Sequence, residues 1–239
     1  MQTTKTSDQL VAVKDERRVQ PFSRRKFLGY VGATSALLVT AASCGKDDDI
    51  INNTGVDLGS GDVGILNYAY ALEQLEAAFY TQVVATPYSG ISALEMEYMT
   101  DIRNHEVAHR EFFKAAITAA APTMIIPSLS VDFSSINFTS RASVLATAMA
   151  FEDLGVTAYN GAGQLISTTG NGPTYLTLAG KIVSVEARHA ALIRDLISNG
   201  TFANSTDASG LDMARTPAQV LAIADPFITT VLNASNLPS

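Results

Sequence analysis

Two Glu-x-x-His motifs, Glu106/His109 and Glu186/His189, constrain the fold of this chain more than any other feature. Each motif lies on a stripe in which apolar residues recur at alternating steps of three and four, as on the buried face of a helix. The two stripes consist of Met99, Ile102, Glu106, His109, Phe113 and Ala116, and of Ala179, Ile182, Glu186, His189, Ile193 and Leu196. Each motif therefore predicts a helix that turns a carboxylate and an imidazole toward the protein interior.

Two further helices are predicted to carry one glutamate each on such a stripe. Glu73 lies seven residues before Tyr80, and Glu152 lies seven residues before Tyr159. The interval from each of these glutamates to the glutamate of the next Glu-x-x-His motif is almost the same in the two cases. The chain is thus predicted to use one helix pair twice in succession, with approximate twofold symmetry. Glu76 competes with Glu73 for the inward position, and the shared spacing to tyrosine favours Glu73.

Other acidic residues of the predicted helices have a simpler interpretation. Charged side chains are rarely fully buried. We therefore expect solvated helix faces at Glu76, Glu95, Glu97 and Glu111.

The periodicity predicts four long helices with one long connection. They span about residues 62–84, 92–121, 140–167 and 175–198, and the second begins with a capping box formed by Ser92 and Glu95. Residues 122–139 form the connection, with extended chain near 130–133, and residues 201–239 form an irregular tail with short helices near 217–224 and 226–233. Two antiparallel helix pairs joined by a long crossover are typical of the all-α, ferritin-like four-helix bundle.

One glutamate from each of two helices, with one Glu-x-x-His from each of the others, is the ligand set of di-iron and di-manganese carboxylate proteins. The chain resembles the ferritin-like superfamily over about residues 62–198, and is most similar to bacterial ferritin-like domain proteins of the desiccation-related type. The resemblance implies two Fe or two Mn ions per chain, with the ligands Glu73, Glu106, His109, Glu152, Glu186 and His189. Cations would offset the cost of burying four carboxylates, and oxygen and imidazole ligands suit Fe or Mn.

By the same resemblance, Glu106 and Glu186 would bridge the two ions. Each ion would then have one further pair of ligands: Glu73 and His109, or Glu152 and His189. Tyr80 and Tyr159 are either core aromatic residues or donors of hydrogen bonds to ligand carboxylates.

A different metal site competes for part of this pattern. Residues 105–109 read His-Glu-Val-Ala-His and match the H-E-x-x-H signature of zinc proteases, with His105 and His109 as ligands and Glu106 as base. That interpretation leaves Glu186 and His189 without a role, and we expect His105 beside the seam of the bundle. The alternatives differ in stoichiometry, because one requires two Fe or Mn ions and the other a single Zn.

Composition excludes several classes of protein. With 47% hydrophobic and 16% charged residues, the chain is too apolar for a disordered protein. Its single Cys excludes a disulfide scaffold and multi-cysteine metal motifs. The net charge of -7 argues against nucleic acid as a partner.

Residues 1–44 resemble an export signal. Seven of the sixteen basic residues lie within residues 1–26, and the apolar run that follows is too short and too polar for a transmembrane helix. Residues 23–28, with Arg24 and Arg25, resemble a twin-arginine signal, and residues 41–44 resemble a lipobox that ends in Cys44. Ala41 stands where Leu is usual, so cleavage by an ordinary signal peptidase stays open.

The rest of the chain divides into three predicted regions. Residues 45–61 form a flexible tether, which begins with a segment that resembles the surface-export tag of Bacteroidota lipoproteins. Residues 62–200 form the bundle, and residues 201–239 form a C-terminal extension. We expect a periplasmic, outer-membrane or cell-surface lipoprotein that touches the membrane only through its lipid anchor.

The resemblance also implies a function. Such centres react with dioxygen, peroxide or Fe(II), so we expect stress protection by ferroxidase or peroxide-consuming chemistry. The alternative is a binding module in which metal stabilises the bundle without turnover. A homodimer is compatible with either function, whereas the tether and the C-terminal tail are awkward to place in a closed storage shell.

Overall fold

The computed structural model of the protein describes residues 55–239. Its four long helices are α1 (Gly61–Ala85), α2 (Ala93–Ala120), α3 (Arg141–Ala162) and α4 (Gly172–Ile197). The shorter elements are strand β1 (Val56–Asp57), helix α5 (Pro217–Ala224), strand β2 (Leu232–Asn233) and 3-10 turns at Gly163–Leu165 and Asp225–Phe227. This architecture confirms the predicted all-α bundle with an irregular C-terminal region. Arg24, Arg25 and Cys44 lie outside the described residues.

The helix pairs form between neighbours in sequence. Helix α1 packs along α2, α3 packs along α4, and α1 also meets α3. Ser92 caps α2 by accepting a hydrogen bond from the backbone nitrogen of Glu95 at 3.1 Å. The carboxylate of Glu95 does not complete a capping box, because it accepts a hydrogen bond from Nε of Arg141 at 2.9 Å. Helix α4 begins three residues earlier than predicted, with Pro173 in its first turn.

Helix α1 is buried on almost all sides and α3 over much of its surface, whereas α2 and α4 bury one face each. The sequence explains the difference. Only three of the 25 residues of α1 are Asp, Glu, Lys or Arg, compared with eight of the 28 residues of α2. A helix that is apolar all round must be covered by other parts of the chain.

The crossover between α2 and α3 covers α1 and is held there by two buried amides. The side chain of Asn67 donates to the carbonyl of Met124 at 2.7 Å and accepts from the backbone nitrogen of Ile126 at 3.2 Å. Two turns later, Gln74 accepts from the backbone nitrogen of Leu129 at 2.9 Å. The connection therefore runs along α1 in a fixed register.

The two ends of the described chain meet. Strands β1 and β2 pair in parallel, with Val56 opposite Leu232, and Leu58 is fully buried. Residues 56–58 thus belong to the folded region rather than to the flexible tether predicted for residues 45–61. The short helix predicted near 217–224 is present as α5. The prediction of a helix near 226–233 was wrong, since a 3-10 turn and β2 lie there. No helix within residues 55–239 has both the length and the apolarity that crossing a membrane requires.

Candidate metal centre

The bundle brings the six predicted ligand residues together in its interior. They form two overlapping groups, within each of which the nitrogen and oxygen atoms available to a metal lie within 4.8 Å of one another. The first group is Glu73, Glu106, His109 and Glu186, and the second is Glu106, Glu152, Glu186 and His189. All four long helices contribute, and all six residues are buried.

The first group surrounds the imidazole of His109. Its Nδ1 lies 2.9 Å from Oε1 of Glu186, 3.3 Å from Oε2 of Glu106 and 3.4 Å from Oε2 of Glu73. Three carboxylates from three helices thus face one nitrogen. The arrangement follows from the stripe positions of these residues, which direct all of them to the bundle axis.

The second group surrounds the imidazole of His189. Its Nδ1 lies 2.9 Å from Oε1 of Glu106 and 3.3 Å from Oε2 of Glu152. The two imidazoles therefore turn the same ring nitrogen inward. Glu106 contributes a different oxygen to each of them, and so lies between the two groups.

These close atoms are not hydrogen-bonded to one another. Within the described residues, eight buried atoms of the centre have no hydrogen-bond partner of suitable geometry: Oε2 of Glu73, both carboxylate oxygens of Glu106 and of Glu186, Oε2 of Glu152, and Nδ1 of His109 and of His189. Buried polar atoms nearly always have partners. Carboxylate oxygens and imidazole nitrogens that converge without hydrogen bonds fit the donor set of a metal pair.

Two tyrosines hold the outer oxygens of the single glutamates. The hydroxyl of Tyr80 donates to Oε1 of Glu152 at 2.5 Å, and the hydroxyl of Tyr159 donates to Oε1 of Glu73. The hydrogen bonds that the resemblance implied for these tyrosines are therefore present. They leave Oε2 of each glutamate directed at an imidazole.

The centre needs positive charge. Burial raises the pKa of Glu73 to about 7, and burial with neighbouring carboxylates raises that of Glu186 well above its ordinary value. Burial would also raise the pKa of Glu106, but its contacts with both imidazoles outweigh this and lower it to about 2. Against the effect of burial, the carboxylates raise the pKa of His109 to about 12 and that of His189 to about 10. Protons thus neutralise part of the cluster when no metal does.

A fifth carboxylate, Glu76, also lies in the interior, and the solvated position expected for it was wrong. Its exposed fraction is 3%, and burial together with the charge of Glu186 raises its pKa well above the ordinary value. Gly155 makes room for it. A Cβ atom at that position would lie 3.2 Å from Oε1 of Glu76 and 3.4 Å from Oε2 of Glu186.

The other acidic residues mostly follow the expectation. Glu97 and Glu111 are exposed. Glu95 is half-buried, because its pairing with Arg141 ties the start of α2 to the start of α3.

The zinc-protease alternative does not fit the position of His105. This residue is exposed, and its Nδ1 lies 2.9 Å from Nε2 of His189. Among the described residues, His105 belongs to neither group of converging ligand atoms. No sequence pattern indicated this contact, because it joins side chains that are far apart along the chain.

Comparison with known proteins agrees with this fold. A family model described as a ferritin-like domain matches residues 61–199, which is more than half of the chain. The chain belongs to the ferritin-like domain family. The matched region of this ferritin-like protein contains all four long helices and all six residues of the two groups. No curated protein matches the chain.

Proposed function

We propose that this ferritin-like protein binds two Fe or two Mn ions and uses them to oxidise Fe(II) or to consume peroxide or dioxygen. The observation that carries the proposal is the overlap of the two groups. Glu106 and Glu186 belong to both, so two ions placed in the two groups would share these carboxylates. When bound, such ions supply the redox chemistry by exchanging electrons with dioxygen, peroxide or Fe(II).

The other residues of the centre would complete the ligand sets and orient the ligands. Glu73 and His109 would complete the ligands of one ion, and Glu152 and His189 those of the other. Tyr80 and Tyr159 orient the two single glutamates through their hydroxyl groups. Oxygen ligands and two imidazoles, without thiolate, suit Fe and Mn better than soft metals.

The small size of the proposed substrates agrees with the burial of the centre. The side chains of His109 and His189 are 11% and 6% exposed, whereas the carboxylates of Glu106, Glu152 and Glu186 are fully buried. Access is therefore greatest at the imidazole edge of the site. A centre with so little exposed surface favours reactants of few atoms.

Activity measurements on metal-loaded protein test the proposal. The full chain, loaded with Fe(II) or Mn(II), should consume peroxide or oxidise Fe(II) faster than Glu106→Ala/Glu186→Ala. Glu111→Ala, which removes an exposed carboxylate from the same helix as Glu106, is the control and should retain the wild-type rate. Equal rates for the wild type and the double variant would contradict the proposal.

A metal-binding module without turnover is the second candidate function. It is favoured by one observation, the supply of ligand residues by all four helices, because bound ions would then join the helices together. Wild-type protein that binds metal and gains thermal stability, but reacts with neither peroxide nor Fe(II), would support this function instead.

We also propose that the protein is exported by the twin-arginine route, anchored through a lipid on Cys44, and protects the cell envelope during oxidative or desiccation stress. The sequence of residues 23–28 and 41–44 supports this proposal. Replacing both Arg24 and Arg25 by Lys should retain the protein in the cytoplasm, as measured by cell fractionation. Cys44→Ser should abolish labelling with a radioactive fatty acid, and unchanged labelling would contradict the lipid anchor.

A further inference from the structure

The two helix pairs carry the same residue types at the ligand positions and at the two tyrosines of the centre. Every counterpart on α1 and α3 is separated by the same interval along the chain, and the interval between counterparts on α2 and α4 is longer by a single position. The matched pairs are Glu73 and Glu152, Tyr80 and Tyr159, Glu106 and Glu186, and His109 and His189. Other counterparts differ, and two of these differences concern ionisable side chains beside the centre: Glu76 corresponds to Gly155, and His105 corresponds to Val185. These positions can make the two halves of the centre behave differently.

His105 contacts only one of the two inward-facing imidazoles. Its Nδ1 lies 2.9 Å from Nε2 of His189, and the two rings are within 10° of parallel with their centroids 5.1 Å apart. Its counterpart Val185 has no polar atom in its side chain. Within residues 55–239, no hydrogen bond is made by Nε2 of His109.

This contact has a chemical consequence for metal binding. A neutral imidazole that binds a metal through Nδ1 carries its proton on Nε2. In His189 that N–H can donate to Nδ1 of His105, which fixes the tautomer and the ring orientation while Nδ1 of His189 faces Glu106 and Glu152. In His109 of the described structure the corresponding N–H has no protein acceptor, so neither its tautomer nor its ring plane is fixed in this way.

We propose that His105 is a positioning residue that makes the two metal positions inequivalent. The position formed with Glu152 and His189 binds its ion more tightly than the position formed with Glu73 and His109. This inference rests on the proposed two-ion centre and assigns different affinities to its two halves. Glu76 is a poor candidate for the same role, because its carboxylate lies beside Glu186, which both positions share.

A titration with Mn(II) tests the inference without reference to activity. The chelator-treated full chain is titrated while free Mn(II) is followed by electron paramagnetic resonance. Wild-type protein should bind two ions in two steps of different affinity. His105→Val, which copies the counterpart Val185, should weaken the tighter step by about 10- to 100-fold and bring the two steps together.

A conservative variant separates positioning from packing. In His105→Asn, Oδ1 stands one bond beyond Cγ, as Nδ1 does in His105, and can accept the same hydrogen bond. This variant should retain the two separate steps. Because residue 105 is exposed, both variants should show the wild-type melting temperature when metal-free.

Each outcome distinguishes the inference from the proposed function. Wild-type protein that binds no Mn(II), and no Fe(II) in the same assay, would contradict the two-ion centre itself. Two ions bound with equal affinity in wild type and in His105→Val would overturn the inference alone. Equal weakening by Val and by Asn would show that the hydrogen bond is not what His105 contributes.

Discussion

At the scale of single residues, the tyrosine hydroxyls are the best test of how the centre is held together. Tyr159→Phe removes the only protein hydrogen-bond donor to Oε1 of Glu73 among the described residues and leaves that oxygen buried. An unsatisfied buried group costs about 1–3 kcal/mol, so the free energy of unfolding should fall by that amount in metal-free protein. Urea unfolding measures it. Tyr98→Phe, which removes the hydroxyl of a half-buried tyrosine on α2, is the control, and an equal loss in both variants would contradict the role of Tyr159.

The pairing of Glu95 with Arg141 predicts a dependence of stability on pH. The hydrogen bond from Arg141 lowers the pKa of Glu95 below its ordinary value of 4.5. The folded state therefore favours the carboxylate, and the stabilisation is present above about pH 4.5 and is lost as the pH falls through the lowered pKa. Partly exposed pairs contribute about 0.2–1 kcal/mol.

Glu95→Gln should thus be less stable than wild type near pH 6 by about that amount, and the difference should shrink toward pH 3. Urea unfolding at several pH values provides the measurement. Glu97→Gln, which changes an exposed carboxylate two residues away, should show no such convergence. A difference that stays constant from pH 6 to pH 3 would contradict the ionic role of Glu95.

The sequence was sufficient to predict the six residues that converge, because each lies on a helical stripe and the spacing repeats. The composition of α1 also indicates that Glu76 is buried, which its spacing to tyrosine does not reveal. A helix with only three acidic or basic residues in 25 has no charged face and is expected to be covered on all sides. A carboxylate in its middle is therefore expected to be buried. The contact of His105 with His189 was beyond sequence reasoning, since it depends on how α2 and α4 face each other.

At the scale of elements, the approach of the C-terminal tail to α3 depends on one glycine. A Cβ atom on Gly161 would lie 1.8 Å from the carbonyl oxygen of Arg215, whose backbone nitrogen donates to the carbonyl of Thr157 at 3.0 Å. Gly161→Ala must displace the tail there, because backbone atoms cannot be so close. We expect faster trypsin cleavage after Arg215. Gly180→Ala, which would meet no atom within 4 Å, is the control and should leave that rate unchanged.

Elements defined by local pattern were predicted well, and elements defined by distant pairing were not. Ser92 caps α2 as its sequence indicates, and α5 has both halves of a capping box around Thr216 and Gln219. Strand β2 could not be predicted, because its partner β1 lies at the opposite end of the described chain. The crossover was predicted to exist, but its register depends on the buried amides of Asn67 and Gln74, which no periodicity reveals.

At the scale of the whole molecule, metal should stabilise the bundle strongly. Five buried glutamates, including Glu76, lie in the centre, and carboxylates without cations are costly to bury. If metal binds only the folded state, a free concentration of 100 times the dissociation constant adds about 2.7 kcal/mol to the free energy of unfolding. Thermal unfolding with and without Mn(II) measures this gain. The variant Glu106→Ala/Glu186→Ala should gain no thermal stability from Mn(II). A gain equal to that of the wild type would show that the metal binds elsewhere.

The metal content of the natively produced protein tests the central claim most directly. Elemental analysis of the purified full chain should find two Fe or Mn ions per chain, and Glu106→Ala/Glu186→Ala should have lost them while keeping its helical circular dichroism. Two ions are expected because there are two groups of ligand atoms. The double variant should lose both ions because Glu106 and Glu186 belong to both groups. A single Zn per chain, or a metal content unchanged in the double variant, would contradict the account.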